Sequence, residues 1–343
     1  MGQQKQIWVH IGLPKCGSST IQGYFADNEV HYRQHGLCYP KTRRTEGGYR
    51  SHHPLADADP AELPAIIDTI AEEAGDATDI LISCEAYTSA LPAGQGQALV
   101  RELKRAFPGD TITVVAYFRN IYEFIESSYA QLIMGGLFQV SVDKFFSKGK
   151  PSIRKFITRF EDIQGFPIYS IQQFAEKIQA TFPDTKVLLR SLEKNDLGGA
   201  GIIEDLCGVM GYAPLPMNTR RNARASNRTI AAAQFLRTKL RNRDFVQIKL
   251  PLRKLDLDML ADDPEAPFRN KDICIGSQLR ILIREQIKLE KDALPALFDT
   301  PCDALTEDRW KPILVNSELA PAMRKKALNM VKRRIGQDKI RTS

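Results

Sequence analysis

The chain has 343 residues, with 48 Lys and Arg against 41 Asp and Glu and a net charge of +7. Its 43% hydrophobic and 26% charged residues are those of a globular protein, long enough for one large α/β domain or one with a substantial extension. No apolar run reaches the ~18 residues needed to cross a bilayer, no secretory leader is expected because an apolar strand begins within a few residues of Met1, and Cys16, Cys38, Cys84, Cys207, Cys274 and Cys302 are scattered without a C-x-x-C pair. Zinc sites and disulfide frameworks are therefore not indicated, and a reducing cytoplasm is the expected compartment. The basic balance favours polyanionic partners. It is partly local, in Arg220, Arg221, Arg224 and Arg228, and again in Arg324, Lys325, Lys326, Lys332, Arg333 and Arg334.

A first strand is expected near 6–11. It runs into the loop Gly12-Leu13-Pro14-Lys15-Cys16-Gly17-Ser18-Ser19-Thr20 and a helix from Thr20 to Phe25. Residues 36–60 read as irregular, punctuated by Gly36, Pro40, Gly47-Gly48, Pro54 and Pro60. A helix near 61–75 precedes a buried strand over Asp79–Cys84 that ends at Glu85, and a helix over 95–107 precedes a β-branched strand over Thr111–Phe118 that ends at Arg119. A helix from about 121 to 134 follows, then a basic irregular stretch. A helix near 170–181 leads to a fourth strand, Lys186–Arg190. Helices at 200–211, 226–242 and 276–294 make the last third mostly α, with the polar stretch 256–271 its weakest part. Short apolar strands alternating with helices predict a parallel sheet flanked by helices. We expect an α/β core over 1–215, a helical part over 216–343 and a basic tail over 321–343.

In such a sheet, functional groups lie beyond the carboxyl ends of the strands. This nominates the Lys15 loop, Glu85, Arg119 and Arg190. A glycine loop entering a helix is an anion cradle, because the first amides of the helix point at the ligand and its dipole favours negative charge. A Walker A loop carries lysine directly after its second glycine. Here Gly12 and Gly17 have that spacing, but Ser18 holds the lysine position and Lys15 lies inside the loop. Arg119, at a strand tip, precedes Ser127 by about two helical turns, and an arginine fork with a hydroxyl can grip a second phosphate.

The loop Pro14-Lys15-Cys16-Gly17-Ser18-Ser19-Thr20 resembles the 5′-phosphosulfate loop of sulfotransferases, P-K-x-G-[ST]-[ST]. The eight-residue step from Arg119 to Ser127 resembles their 3′-phosphate motif. The chain is most similar to bacterial carbohydrate-type sulfotransferases. Their opening H-I-G-L-P-K-x-G-[ST]-[ST] is matched from His10, their G-x-x-Y-P turn by Gly36-Leu37-Cys38-Tyr39-Pro40 and their histidine pair by His52-His53. Their S-x-E strand end is matched by Ser83-Cys84-Glu85, and their asparagine-rich segment by Asn218 to Asn227. Two small departures are Ser18-Ser19 in place of a Thr pair, and Ile121 where proline or alanine is usual.

The resemblance implies a three-layer, P-loop NTPase-like sulfotransferase fold. It implies a donor, 3′-phosphoadenosine 5′-phosphosulfate, with no metal, and transfer of its sulfuryl group to a hydroxyl or amine of a saccharide or glycolipid. Lys15, Cys16, Gly17, Ser18, Ser19 and Thr20 would bind the 5′-phosphosulfate, and Arg119 and Ser127 the 3′-phosphate. Arg221 and Arg224 would close over that 3′-phosphate. Glu85 is the expected base or a residue that orients Lys15 or a loop amide. His53 and then His52 are the next candidates, and His10 is expected to be structural. Arg190 is expected to form a sheet-edge ion pair, and Cys16, Trp8, Phe145, Phe146, Phe156 and Phe160 to be packing residues. An atypical P-loop kinase and a non-catalytic polyanion-binding module are the alternatives. Nucleic acid is not expected as a partner, for want of any reader motif. The tail over 321–343 reads as a solvated basic surface, with a basic amphipathic helix resting on anionic membrane, at its inner face, as the alternative.

Overall fold

The computed structural model describes residues 4–47, 50–89, 91, 94–147, 149–217, 225–255, 257–258, 268–313, 318–336 and 339–340. In chain order the first half holds β1 (Gln6–His10), α1 (Ser18–Asp27), α2 (Glu29–Gln34), β2 (Leu37–Cys38), α3 (His53–Ala56), α4 (Leu63–Ala74), β3 (Asp79–Ser83), α5 (Ala86–Ser89), α6 (Gln95–Ala106), β4 (Thr111–Phe118) and α7 (Ile121–Gly135). The second half holds α8 (Val142–Ser147), α9 (Ile153–Gln164), α10 (Ile171–Thr181), β5 (Lys186–Ser191), α11 (Ile202–Met210), α12 (Asn227–Lys239), α13 (Asn242–Arg253), α14 (Ser277–Glu290), α15 (Asp303–Thr306) and α16 (Pro321–Ile335).

The chain divides into two compact units. The first comprises Met1–Ile121, Ser170–Arg221 and Ile287–Glu307; the second comprises Tyr122–Tyr169, Asn222–Gln286 and Asp308–Ser343. The boundary expected at 215/216 falls inside the middle segment of the first unit.

The first unit is an all-parallel sheet in the order β2-β3-β1-β4-β5, flanked by helices. The α/β reading with a parallel sheet therefore holds, and four of its strands fall where the apolar runs predict them. The fifth, β2, lies inside the stretch read as irregular and pairs only Leu37 with Asp79 and Cys38 with Ile80. Strands covered on both faces are continuously apolar: Val114 to Tyr117 and Ile80 to Ile82 are fully buried. Trp8 is buried in β1, its indole N–H donating to Asp79 at 2.9 Å. The register sets His10 beside Ser83 on one side and Val115 on the other, so β1 and β3 end at one level while β4 runs on to Phe118. From there the chain leaves β1 toward β2 at one edge and leaves β4 toward β5 at the other. Connections that diverge from neighbouring strands open a crevice at their carboxyl ends.

The second unit is helical. The stretch read as irregular between 135 and 169 contains α8 and α9. Ser152 caps α9 by accepting from the Lys155 amide at 3.2 Å, and Gly165 ends it at φ 78°. Phe145, Phe146, Phe156 and Phe160 are core residues, and Tyr129 of α7 stacks on Phe156 with centroids 5.6 Å apart. The helix expected over 226–242 ends at Lys239, and α13 starts a separate helix at Asn242. Much of the polar stretch 256–271 lies outside the described residues. The basic tail is helical as α16, but Met323, Ala327 and Val331, one turn apart, are already buried in the protein. Its apolar face is therefore occupied. Among the described residues no helix is long and apolar enough to cross a membrane.

Candidate functional site

The loop after β1 keeps its hydrogen bonds to β4 after the strand has ended. The Ile11 amide donates to the Val115 carbonyl at 2.9 Å, and the Leu13 amide to the Tyr117 carbonyl at 3.1 Å. In return the Tyr117 amide donates to the Gly12 carbonyl at 2.7 Å. Gly12 has φ 108°, and a side chain there would stand 3.0 Å from the Glu85 Cβ and the Thr88 hydroxyl. Gly17 has φ 87°, and a Cβ there would come within 2.6 Å of the Ile202 side chain at the start of α11. Both positions combine a left-handed backbone with close approach, so both need glycine.

Lys15 also has positive φ, 66°, and its side chain is exposed. A bulky residue in the left-handed region costs about 1 kcal/mol or more and persists only where its surroundings fix it. Those surroundings are the buried residues on either side. Leu13 and Cys16 are buried, the Cys16 amide donates to the Leu13 carbonyl at 3.1 Å, and the Ser18 hydroxyl donates to the same carbonyl at 3.2 Å. Gly17 provides no side-chain cap to α1; the Thr20 amide turns back to the Gly17 carbonyl at 2.8 Å, and the Ser18 and Ser19 amides before it face out of the helix end. Burial raises the Cys16 thiol to about 12, against the opposing pull of the Arg119 and Lys15 charges. It is a protonated packing group and not a nucleophile.

Glu85 follows β3, with its Cβ against Gly12. Its carboxylate accepts from the Gln22 amide at 2.7 Å, one helical turn after Ser18 on α1. Thr88 secures the same corner with one hydroxyl proton shared between the Ile11 carbonyl at 2.9 Å and the Glu85 carbonyl at 3.0 Å. Glu85 thus sits directly beside the loop, with its orientation set from α1.

Arg119 follows β4, half-buried, with Nη1 at 3.5 Å from the Lys15 carbonyl. Its neighbour Asn120 is the anchor. The buried amide side chain of Asn120 donates to the Ala304 and Glu307 carbonyls, each at 2.9 Å. The Asn120 backbone N–H donates to the Glu193 carboxylate at 2.9 Å. Ser127 lies on α7 in the second unit, buried, and its hydroxyl donates to the Phe124 carbonyl one turn earlier at 3.1 Å. Arg221 and Arg224 lie outside the described residues, as does most of the segment from Asn218 to Asn227.

The histidine pair divides. His53 opens α3 half-exposed, with its Nδ1 2.9 Å from the Ser51 hydroxyl. His52 is fully buried; its Nε2 donates to the Pro40 carbonyl at 3.0 Å and its Nδ1 accepts from the Ser83 amide at 3.2 Å. Burial lowers its pKa to about 4. With both nitrogens engaged and the ring neutral, His52 is a latch between the end of β3 and the Tyr39-Pro40 turn. It is not available as a base. Tyr39 closes the latch, its ring set edge-on against His52 at 4.9 Å. His10 is likewise buried against the Ser83 hydroxyl at 2.7 Å, its pKa lowered by burial to about 3. Arg190 forms a bidentate pair with Asp205 at 2.7 and 2.6 Å, and the Tyr117 hydroxyl donates to the same carboxylate at 2.6 Å.

The first unit therefore brings Lys15, the α1 amides, Glu85 and Arg119 to one end of the sheet. Three supports went unread in the sequence: Gln22, Thr88 and Glu193. A signal existed for each. Gln22 is four residues after Ser18, Thr88 three after Glu85, and Glu193 two beyond the last residue of β5. Among the described residues no group of three or more His, Cys, Asp or Glu is arranged to hold a metal ion. Comparison of the chain with family models, characterised proteins and solved structures returns no match.

Proposed function

We propose that this chain is a sulfotransferase with a P-loop-like core. It would move a sulfuryl group from 3′-phosphoadenosine 5′-phosphosulfate to a hydroxyl or amine of a saccharide or glycolipid. The position of the loop lysine carries the reading. Lys15 is exposed at φ 66° inside the loop, while the position after Gly17 is the buried Ser18, turned back onto the Leu13 carbonyl. A nucleotide triphosphatase uses a lysine at that second place to reach the β- and γ-phosphates. The buried serine weighs against the kinase alternative. The parallel sheet with its glycine loop on the central strand supports the P-loop-like fold.

The loop suits a phosphate-like group because α1 opens after Gly17 without a side-chain cap on its first amides. When bound, the donor supplies an activated sulfuryl group on a 5′-phosphate. The α1 amides and the Ser19 and Thr20 hydroxyls hold that phosphate. The Lys15 ammonium stabilises the negative charge that grows on the oxygen leaving with it. Arg119, fixed through Asn120, takes the 3′-phosphate with its fork; the sequence motif adds Ser127 to that group. Glu85, oriented by Gln22, takes the acceptor's proton, with His53 the second candidate. Transfer is direct, so the buried Cys16 thiol has no part in it. The saccharide class of acceptor follows from the sequence resemblance.

Calorimetry with adenosine 3′,5′-bisphosphate, ATP and GTP, without added Mg²⁺, tests this reading. The bisphosphate is expected to bind with clear preference; a preference for ATP overturns the proposal. Lys15→Ala is expected to lower turnover by about 10²–10³-fold while leaving bisphosphate affinity nearly unchanged. Arg119→Ala should weaken bisphosphate binding by about 10-fold or more. Donor binding without transfer of labelled sulfuryl to any member of a glycan panel would favour the non-catalytic alternative.

A further inference from the structure

Two neighbouring helices of the second unit present an unusual combination of groups. Over its whole length α16, Pro321–Ile335, carries six cations and no anion. Between the end of α13 and the outer side of α16 is an open groove of about 520 Å³. Its lining includes Leu255 and Met330 together with Lys325, Lys326, Arg333 and Arg334. These four cations are not paired with a carboxylate among the described residues, whereas Arg324 meets Glu318 at 3.6 Å. The helix α13 touches α16. Its outward face carries Val246, 59% exposed, and Leu250, 66% exposed, one helical turn apart. Arg243, Arg253 and Lys254 flank them, also exposed.

We propose that this face, α13 together with α16, docks on an anionic lipid bilayer. Charge complementarity selects the occupant's sign: α16 presents cations with no anion, and the one carboxylate of α13, Asp244, is buried 3.7 Å from Arg243, so the exposed charge is positive and seeks a negatively charged surface. The two exposed aliphatic side chains select a bilayer over a soluble polyanion, since a bilayer interface has both charge and an apolar layer for them to enter. The device differs from a free amphipathic tail. The apolar face of α16 is spent inside the protein on Met323, Ala327 and Val331, so α16 contributes charge and α13 contributes the apolar contact. Attachment of this kind is peripheral and reversible, and it stands independently of the reading of the glycine loop.

Co-sedimentation of the full-length protein with phosphatidylcholine vesicles, with and without phosphatidylglycerol, tests it. Binding is expected only to the anionic vesicles and should fall as salt is raised. Each interfacial basic residue contributes about fivefold in partitioning. The variant Lys325→Ser/Lys326→Ser/Arg333→Ser/Arg334→Ser should therefore lose more than about 100-fold. A second variant, Val246→Ser/Leu250→Ser, should lose vesicle binding several-fold while its retention on immobilised heparin is unchanged. All these positions are exposed, and unchanged thermal melting will show that each variant is folded. Three results would each overturn the proposal. One is equal behaviour on neutral and anionic vesicles, and another is wild-type binding by the four-serine variant. The third is full vesicle binding by Val246→Ser/Leu250→Ser, which would reduce the face to a general polyanion site.

Discussion

At the scale of single residues, the fold sorts its histidines by what surrounds them. His52 spends both ring nitrogens on backbone groups, at the Pro40 carbonyl and the Ser83 amide, which is the chemistry of a structural tie. The consequence is a pH dependence of stability with a definite sign. Burial lowers His52 from 6.5 to about 4 and His10 from 6.5 to about 3. Between those values and 6.5 the unfolded chain binds protons that the folded chain refuses, so unfolding is favoured as pH falls. Stability is therefore complete above about pH 6.5 and declines below it, by about 2 kcal/mol for each histidine at pH 5. The decline levels off once the folded-state values are passed. Urea titrations at pH 7 and pH 5 should show this loss. In His52→Asn, which no longer titrates there, the difference between the two pH values should shrink by about half. A variant with the wild-type pH dependence would mean that His52 is not buried neutral.

At the scale of elements, α9 shows where sequence patterning was hidden. Ile153, Phe156, Ile157, Phe160 and Gln164 line one buried face at helical spacing, capped by Ser152 and ended by Gly165. The basic residues Arg154, Lys155 and Arg159 alternate with them and disguise the stripe as a charged loop. Phe160 is fully buried, with ring centroids 4.8 Å from Phe138 and 5.4 Å from Phe166. Phe160→Ala should therefore cost about 3–5 kcal/mol of stability, read as a lowered urea midpoint. An unchanged midpoint with altered ligand binding would instead make the ring part of a binding surface. The strands of the sheet were legible for the opposite reason. In β1, β3, β4 and β5 both faces are covered, so the apolar run is unbroken and ends sharply at a polar residue. The short β2 has only two paired residues and no run to read. The site followed the same rule. Lys15, Glu85 and Arg119 stand at strand ends and were visible as such, but their partners were not. Gln22 reaches Glu85 from α1, and Glu193 reaches Asn120 from beyond β5. Such pairings are made by the sheet order, which brings distant chain segments to one edge, so spacing from a loop or strand end marks the partner residue but not the group it meets. The His52 latch is of this kind as well, because its meaning depends on Pro40 and Ser83 meeting across the end of β3.

At the scale of the whole molecule, charge is unevenly spread. The chain's net charge is +7, and α16 alone carries six cations with no anion, so the rest of the protein is close to neutral. That concentration is tolerable only if α16 is held by something other than electrostatics, since six like charges in four turns repel one another. What holds it is the row Met323, Ala327 and Val331, spaced one turn apart and each buried to within a few per cent, against α12 and α13. A docked helix and a free tail make opposite predictions under protease. Six lysine and arginine side chains make α16 the richest trypsin target in the chain, and a free tail would be cut first. A docked helix is cut only when it opens locally, so cleavage should lag behind global loss of structure at low protease and follow denaturant as unfolding does. Truncation after Leu319 should then do more than remove charge. It uncovers the apolar surface of α12 and α13 that Met323, Ala327 and Val331 cover, and it should lower the melting temperature and promote association. Replacing the four outward cations with serine should leave both unchanged. If truncated and full-length chains melt alike, α16 is an appendage, and the second unit completes its core without it.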